Sequence, residues 1–251
     1  MRREDLKEFL EEKTLEYNRP EFIESDPIRV PHSYSLKEDV EIAAFLTATI
    51  SWGNRKMIIR NAERMMELMG NSPYDFVMES REEHLEPFVH RTFNLVDLKQ
   101  FIRSLRNIYN RHEGMERIFS LHATEQSLQP AIHEFKKHFF EIEHPSRTTK
   151  HLSDPVKGSA AKRINMFLRW MVRNDDSGVD LGLWSELRPS QLSCPLDVHT
   201  GRVARKLGLL RRKASDAKAL AELDVNLRKL DPVDPVKYDF ALFGLGVFEN
   251  F

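Results

Sequence analysis

K-G-S-A-A-K-R-I-N-M-F-L-R-W-M-V-R, Lys157 to Arg173, decides how the rest of the chain is read. A glycine and small residues open the stretch, and apolar side chains at helical spacing follow. A loop should therefore turn into an amphipathic helix over 159–173. On a helical wheel Ala160, Ile164, Phe167, Leu168 and Met171 share one face, with Lys162, Arg169 and Arg173 opposite. Met166 and Trp170, one and two turns beyond Lys162, add a second apolar strip. Such a strip either packs on a neighbouring helix or lines a pocket. Lys162 thus points away from its own helix's core, as a solvated lysine or as a nucleophile.

The same period recurs on both sides. Helices are expected at 2–17, 38–51, 55–69, 97–109, 114–121, 126–140, 198–207, 215–230 and 235–244. The segment E-D-V-E-I-A-A-F-L-T-A-T-I-S, 38–51, is apolar enough to be a buried helix ending at the corner Ser51-Trp52-Gly53-Asn54. No strand pattern and no repeat emerges, and the fold class expected is all-α. Proline, serine and threonine break the period from Pro145 to Gly158. That break is the best candidate for a domain boundary.

With 251 residues the chain can bury a full core without disulfides. Its 41% hydrophobic and 31% charged residues, with no long apolar run, suit a soluble protein and no membrane partner. The N-terminal stretch lacks the apolar centre of a secretion signal, so a cytoplasmic location is expected. One cysteine, Cys194, excludes a disulfide framework, a four-cysteine zinc site and a four-cysteine iron–sulfur cluster; no metal or cofactor is implied.

The net charge of −1 is unevenly spread. Residues 147–173 hold seven Lys or Arg against Asp154, and 197–213 hold six against Asp197. Basic stripes in a neutral chain fit either solvated helices or local attraction to phosphate. The second stripe contains P-L-D-V-H-T-G-R-V-A-R-K-L-G, Pro195 to Gly208. Asp197 stands where a helix should begin and can cap it. His199, Arg202 and Lys206 follow along one polar edge suited to phosphate oxygens.

Taken together, G-S-A-A-K, an amphipathic helix, and L-D-V-H-x-x-R-V-x-R-K-L-G resemble the active-site region of the helix-hairpin-helix DNA glycosylase superfamily. The buried segment E-I-A-A-F-L-T-A-T-I-S-W-G-N-R resembles that superfamily's early helix and DNA-probing corner. The anchors span about 38–210, and the whole chain looks closest to a bacterial family whose function is not known. Three departures stand out. Asp154-Pro155-Val156-Lys157-Gly158 replaces the usual Leu-Pro-Gly-Val-Gly hairpin, and the cluster cysteines of some branches are absent. Thirty-four residues separate Lys162 from Asp197, a long spacing similar to that of the archaeal 8-oxoguanine DNA glycosylases.

The resemblance implies two helical lobes, a middle domain over 38–145 and a second lobe from 1–37 with 146–251, with a DNA-binding cleft between them. It further implies a DNA-repair glycosylase with AP-lyase activity, acting on damaged double-stranded DNA. Lys162 would be the nucleophile that forms a Schiff base with the sugar, and Asp197 would stabilise the charge that develops there. DNA-binding residues would be the amides of Gly158, Ser159 and Ala160, the side chains of His199 and Arg202, and Trp52 as the probe of the vacated stack. Met166 would cover one face of an oxidised purine such as 8-oxoguanine, and Phe248 or Phe251 the other. The alternatives are an AP lyase, a glycosylase for another damaged base, or a non-catalytic module that binds distorted DNA. A nucleoid-associated location and no cofactor go with the enzymatic reading.

Overall fold

Each expected helix forms in the computed structural model, which describes residues 2–79 and 82–251. Two short helices, α2 and α5, add to them, and in chain order the helices begin with α1 (Arg3–Tyr17), α2 (Glu21–Ser25), α3 (Lys37–Thr49), α4 (Arg55–Leu68) and α5 (Pro73–Met78). The hairpin strands β1 (Val89–His90) and β2 (Phe93–Asn94) then lead to α6 (Leu95–His112), α7 (Met115–His122) and α8 (Gln129–Phe139). The last four are α9 (Lys162–Val172), α10 (Val198–Lys206), α11 (Ala217–Arg228) and α12 (Tyr238–Val247). The described residues are predominantly helical; their one sheet is that hairpin, which pairs Val89 with Asn94 and His90 with Phe93, and a single isolated bridge joins Ser159 to Asp216. The hairpin is a correction to the expectation of no strand. Two-residue strands are too short to show a period, and Arg91, with φ of 55°, makes the turn. Among the described residues no helix is long and apolar enough to cross a membrane.

The buried side chains form two clusters. In the first, α3 is buried along Val40 to Thr49, as a helix apolar on all sides should be. Phe45 sits at its centre, with ring centroids 5.9 Å from Phe101, 5.6 Å from Phe135, 5.4 Å from Phe139 and 5.5 Å from Phe167. The second cluster joins Leu10 of α1 to Val203 of α10, Leu223 of α11 and Leu242 of α12. Helix α9 borders both: Phe167 and Leu168 enter the first, while Ala160, just ahead of the helix, enters the second.

The wheel's placement of Arg169 and Arg173 on an open face needs correction. Both are buried. Arg169 donates to Asp180 Oδ1 at 3.1 Å and Asp239 Oδ2 at 2.5 Å, with its guanidinium 4.4 Å from the centre of the Phe240 ring. Arg173 donates to Asp180 Oδ2 at 3.0 Å and Asp234 Oδ2 at 2.8 Å. The chain beyond α9 folds back, and the amides of Leu181 and Gly182 donate to the Trp170 carbonyl at 2.8 and 3.1 Å. That return places Asp180 beneath the helix. Two of the seven bases in the first stripe are therefore neutralised inside the protein. Removing one side of such a network strands buried carboxylates. Arg169→Leu should lower unfolding free energy by about 3 kcal/mol in urea titrations; a loss under about 1 kcal/mol would show that Asp180 and Asp239 do not need it.

Candidate active site

The turn before α9 is built by local hydrogen bonds. Asp154 Oδ1 accepts from the Val156 amide at 3.1 Å and pairs with His133 Nδ1 at 2.9 Å. Pro155–Lys157 then forms a single 3-10 turn, and Gly158 leaves it at φ 88°. A left-handed glycine is inexpensive, but Ala161 adopts φ 46° as well, at a cost of about 1–2 kcal/mol. A buried Ala161, whose amide donates to Ser159 Oγ at 3.1 Å, holds the strain and starts the helix at Lys162 rather than at 159.

That geometry corrects part of the phosphate-binding expectation. The Gly158 amide donates to the Pro155 carbonyl at 2.9 Å and the Ser159 amide to the Asp154 carbonyl at 3.3 Å. Both are spent within the turn. Ala160 is buried in the second cluster. The helix N-terminus lies two to four residues further on.

Lys162, half-buried in the first turn of α9, lines a cavity of about 660 Å³. Its Nζ lies 3.5 Å from the Met166 sulfur, and no acid forms an ion pair with it among the described residues. Burial lowers the pKa of the amine from the ordinary lysine value, against the opposing pull of Asp197, Asp239 and Asp26. Asp197 is the N-cap of α10, accepting from the Thr200 amide at 2.9 Å. It also lines the same cavity. Capping and facing the site are thus compatible: one oxygen holds the helix and the carboxylate stays next to the lysine's space.

Trp52, Met166 and His199 complete the group of sequence-expected residues on this cavity. Trp52 is half-buried, its ring 6.2 Å from His151 in a stacked pose, and the Arg163 guanidinium lies 4.7 Å from its centre. Arg202 is not on the lining; it donates to the Gly246 carbonyl at 2.7 Å and is otherwise exposed. Phe248 and Phe251 are not on the lining either. Helix α12 continues through Val247, which carries Phe248 onto Tyr17, ring to ring at 5.6 Å, and Phe251 towards Phe9 at 6.4 Å. Phe243, one turn earlier, takes the place expected for them.

A narrower recess of about 30 Å³ adjoins the cavity and shares Asp26, Lys162, Met166, Asp197 and Phe243 with it. Asp239 and Trp170 also line this recess. Burial pushes the Asp239 carboxyl up to about 6, opposed by Arg169. The buried Trp170 indole N–H has no hydrogen-bond partner among the described residues. Asp26, Arg55, Phe243 and Asp239 escaped the reading of the sequence. An acid inside the apolar run Y-D-F-A-L-F-G-L-G-V was the one available signal, since such a carboxylate must have a buried partner.

An all-α protein with an unpaired lysine amine and an aspartate on one cavity is the class these observations define. Residues 26–248 match the family described as "Protein of unknown function (DUF2400)", and the chain belongs to that family. The match begins at Asp26 and so takes in every cavity-lining residue named above, while α1 lies outside it. No curated protein and no solved structure gives a match.

Proposed function

We propose that the chain is a base-excision DNA glycosylase with AP-lyase activity, using Lys162 as nucleophile and Asp197 as its electrostatic partner. One observation carries the reading. A lysine amine with a lowered pKa stands on a cavity with no acid in an ion pair to it among the described residues, and an aspartate from a second helix lines the same space. The motifs around both residues, which resemble those of the helix-hairpin-helix glycosylases, support it; on this reading two helical lobes would hold the DNA between them.

In this reading the nucleotide leaves the stack and enters the cavity, with Trp52 at the rim to probe the vacated space. The neutral Lys162 amine attacks the sugar C1′ while the C1′–N bond to the base breaks, and the base departs with a proton. The new C1′ amine loses a proton, and the sugar ring opens at O4′, which takes one up, to give the protonated Schiff base. Loss of a proton from C2′ then expels the 3′ phosphate and cuts the strand. The Asp197 carboxylate offsets the positive charge that grows on the sugar and receives the amine's proton. His199 and Arg202 remain as phosphate anchors, since the Gly158 and Ser159 amides are already used within the turn.

An oxidised purine such as 8-oxoguanine is the favoured lesion, because a polarisable Met166 and an aromatic Phe243 line both spaces. Binding damaged duplex DNA would place the protein on the nucleoid. Borohydride reduction tests the reading directly. The full chain should be trapped as a covalent adduct on duplexes holding an abasic site and, most efficiently among lesions, 8-oxoguanine rather than uracil, thymine glycol or 3-methyladenine. Adducts on abasic DNA alone would define an AP lyase. Preference for another base would change the lesion, and binding to distorted DNA with no adduct would overturn the enzymatic proposal in favour of a non-catalytic module.

A further inference from the structure

Away from this cavity, three helix ends bring imidazoles and carboxylates together. His112 is the last residue of α6 and His122 the last of α7, while Glu134 and His138 lie one turn apart on α8. Residues four apart on a helix project from one face, so Glu134 and His138 both meet the end of α7. One donor atom from each of His122, Glu134 and His138 lies within 4.8 Å of the other two, and all three side chains are half-buried.

A neighbouring group gives the cluster its direction. Glu141 Oε2 lies 3.3 Å from His138 Nδ1, and Glu141 Oε1 lies 2.7 Å from His112 Nε2 and 2.5 Å from the Asn107 amide nitrogen. Glu141 is thereby engaged with three partners and suited to orient, not to ligate. With Nδ1 of His138 on a carboxylate, Nε2 is the nitrogen left to bind. That is the arrangement by which metal-binding histidines are fixed and made more basic. Among the described residues Glu134 accepts a hydrogen bond from Lys137 Nζ at 2.7 Å, a side chain 59% exposed that can swing back to water.

We propose that His122, Glu134 and His138 form a binding site for a zinc-class divalent cation, with Glu141 as the carboxylate that orients His138. Two imidazoles and one carboxylate are a common zinc set, and bonds of about 2.0–2.2 Å put tetrahedral donors about 3.5 Å apart. Small side-chain rotations would close the observed spacing to that. His122 and Glu134 also line a second cavity of about 660 Å³ between α8 and α11, distinct from the one holding Lys162. The fourth coordination position opens on that side, to water or to a ligand oxygen.

The site acts on the protein's architecture. Helix α8 holds the loop that leads to Lys162, through His133 on Asp154 and through Lys136 Nζ, which donates to the Leu152 carbonyl at 2.6 Å and the Thr149 carbonyl at 3.1 Å. A cation on His122 and His138 fastens α7 to that helix. Binding to the folded state alone then raises its stability.

The test uses the tag-free full chain, stripped of metal and titrated with Zn²⁺ against a chromophoric chelator. One equivalent should bind and the melting temperature should rise with it. His122→Gln and His138→Gln should each lose the equivalent and the thermal shift. Glu141→Gln should keep one equivalent with affinity roughly 10- to 100-fold weaker. Should either histidine variant fail to fold, ring-nitrogen chemical shifts of the unaltered chain give a second readout, with His122 and His138 moving on zinc addition. No stoichiometric zinc, undiminished binding in both histidine variants, or shifts confined to other histidines would overturn the site. Complete loss in Glu141→Gln alone would move the ligands to His112, His138 and Glu141 and equally refute this assignment.

Discussion

Lys162→Gln should abolish the borohydride-trapped adduct and reduce base excision on the order of 10⁴-fold or more, because the glutamine amide has no lone pair to give the sugar. The substitution keeps length and polarity, and the amine it removes has no ion pair to strand. The melting temperature should therefore hold or rise slightly, since burying the amine costs desolvation. The pH dependence of the unaltered chain provides a second check. Attack requires the neutral amine, so the rate must climb as pH rises through the Lys162 pKa. Burial lowers that pKa, so the climb should be complete below the ordinary value of about 10.4. An adduct of undiminished yield in Lys162→Gln would identify another amine as nucleophile.

Asp197→Asn should depress excision about 10³-fold while leaving duplex affinity nearly unchanged, because the carboxylate opposes a charge that appears only in the transition state. The variant separates the helix cap seen in the structure from the catalytic role proposed for the same residue. Asparagine caps helices about as well as aspartate, so the bond to the Thr200 amide at 2.9 Å should survive and unfolding midpoints should barely move. Normal excision with normal stability would leave Asp197 a cap and nothing more. Unfolding on this substitution would be the opposite surprise, pointing to a structural need for its charge.

The long helices were legible because burial of one face repeats along a sequence. Leu98, Phe101, Ile102, Leu105 and Ile108 announce α6, and all five are buried. Five- and six-residue helices such as α2 and α5 are shorter than two turns and leave no such trace. That Lys162 and Asp197 should be considered together was legible through two motifs that each had a bland reading alone, and the structure places both on one cavity. What surrounds them was not. Asp26, Arg55 and Phe243 reach the cavity from three distant segments, and nothing local marks any of them. The error over Arg169 and Arg173 has the same root. A wheel shows which residues share a face but not what the rest of the chain brings to it, and here it brings Asp180, Asp234 and Asp239. The two phenylalanines misplaced from the pocket fail by register. One further turn of α12 is enough to move Phe248 from cavity wall to outer surface.

Helix α10, which carries Asp197, packs on α12, and α12 in turn packs on α1. The seam between those two is tight. Gly244 has no room for a side chain because a Cβ there would overlap the Tyr17 ring, and the Tyr238 hydroxyl donates to Glu11 across 227 residues of sequence at 2.7 Å. Closing so long a loop costs entropy before the contacts repay it. During synthesis, the Phe45 cluster can collapse as soon as α9 emerges, but α1 must wait for α12 to leave the ribosome. A chain truncated before α12 would therefore lack the surface on which α10 packs, leaving Asp197 without that support while Asp26 remains on the cavity side of Lys162.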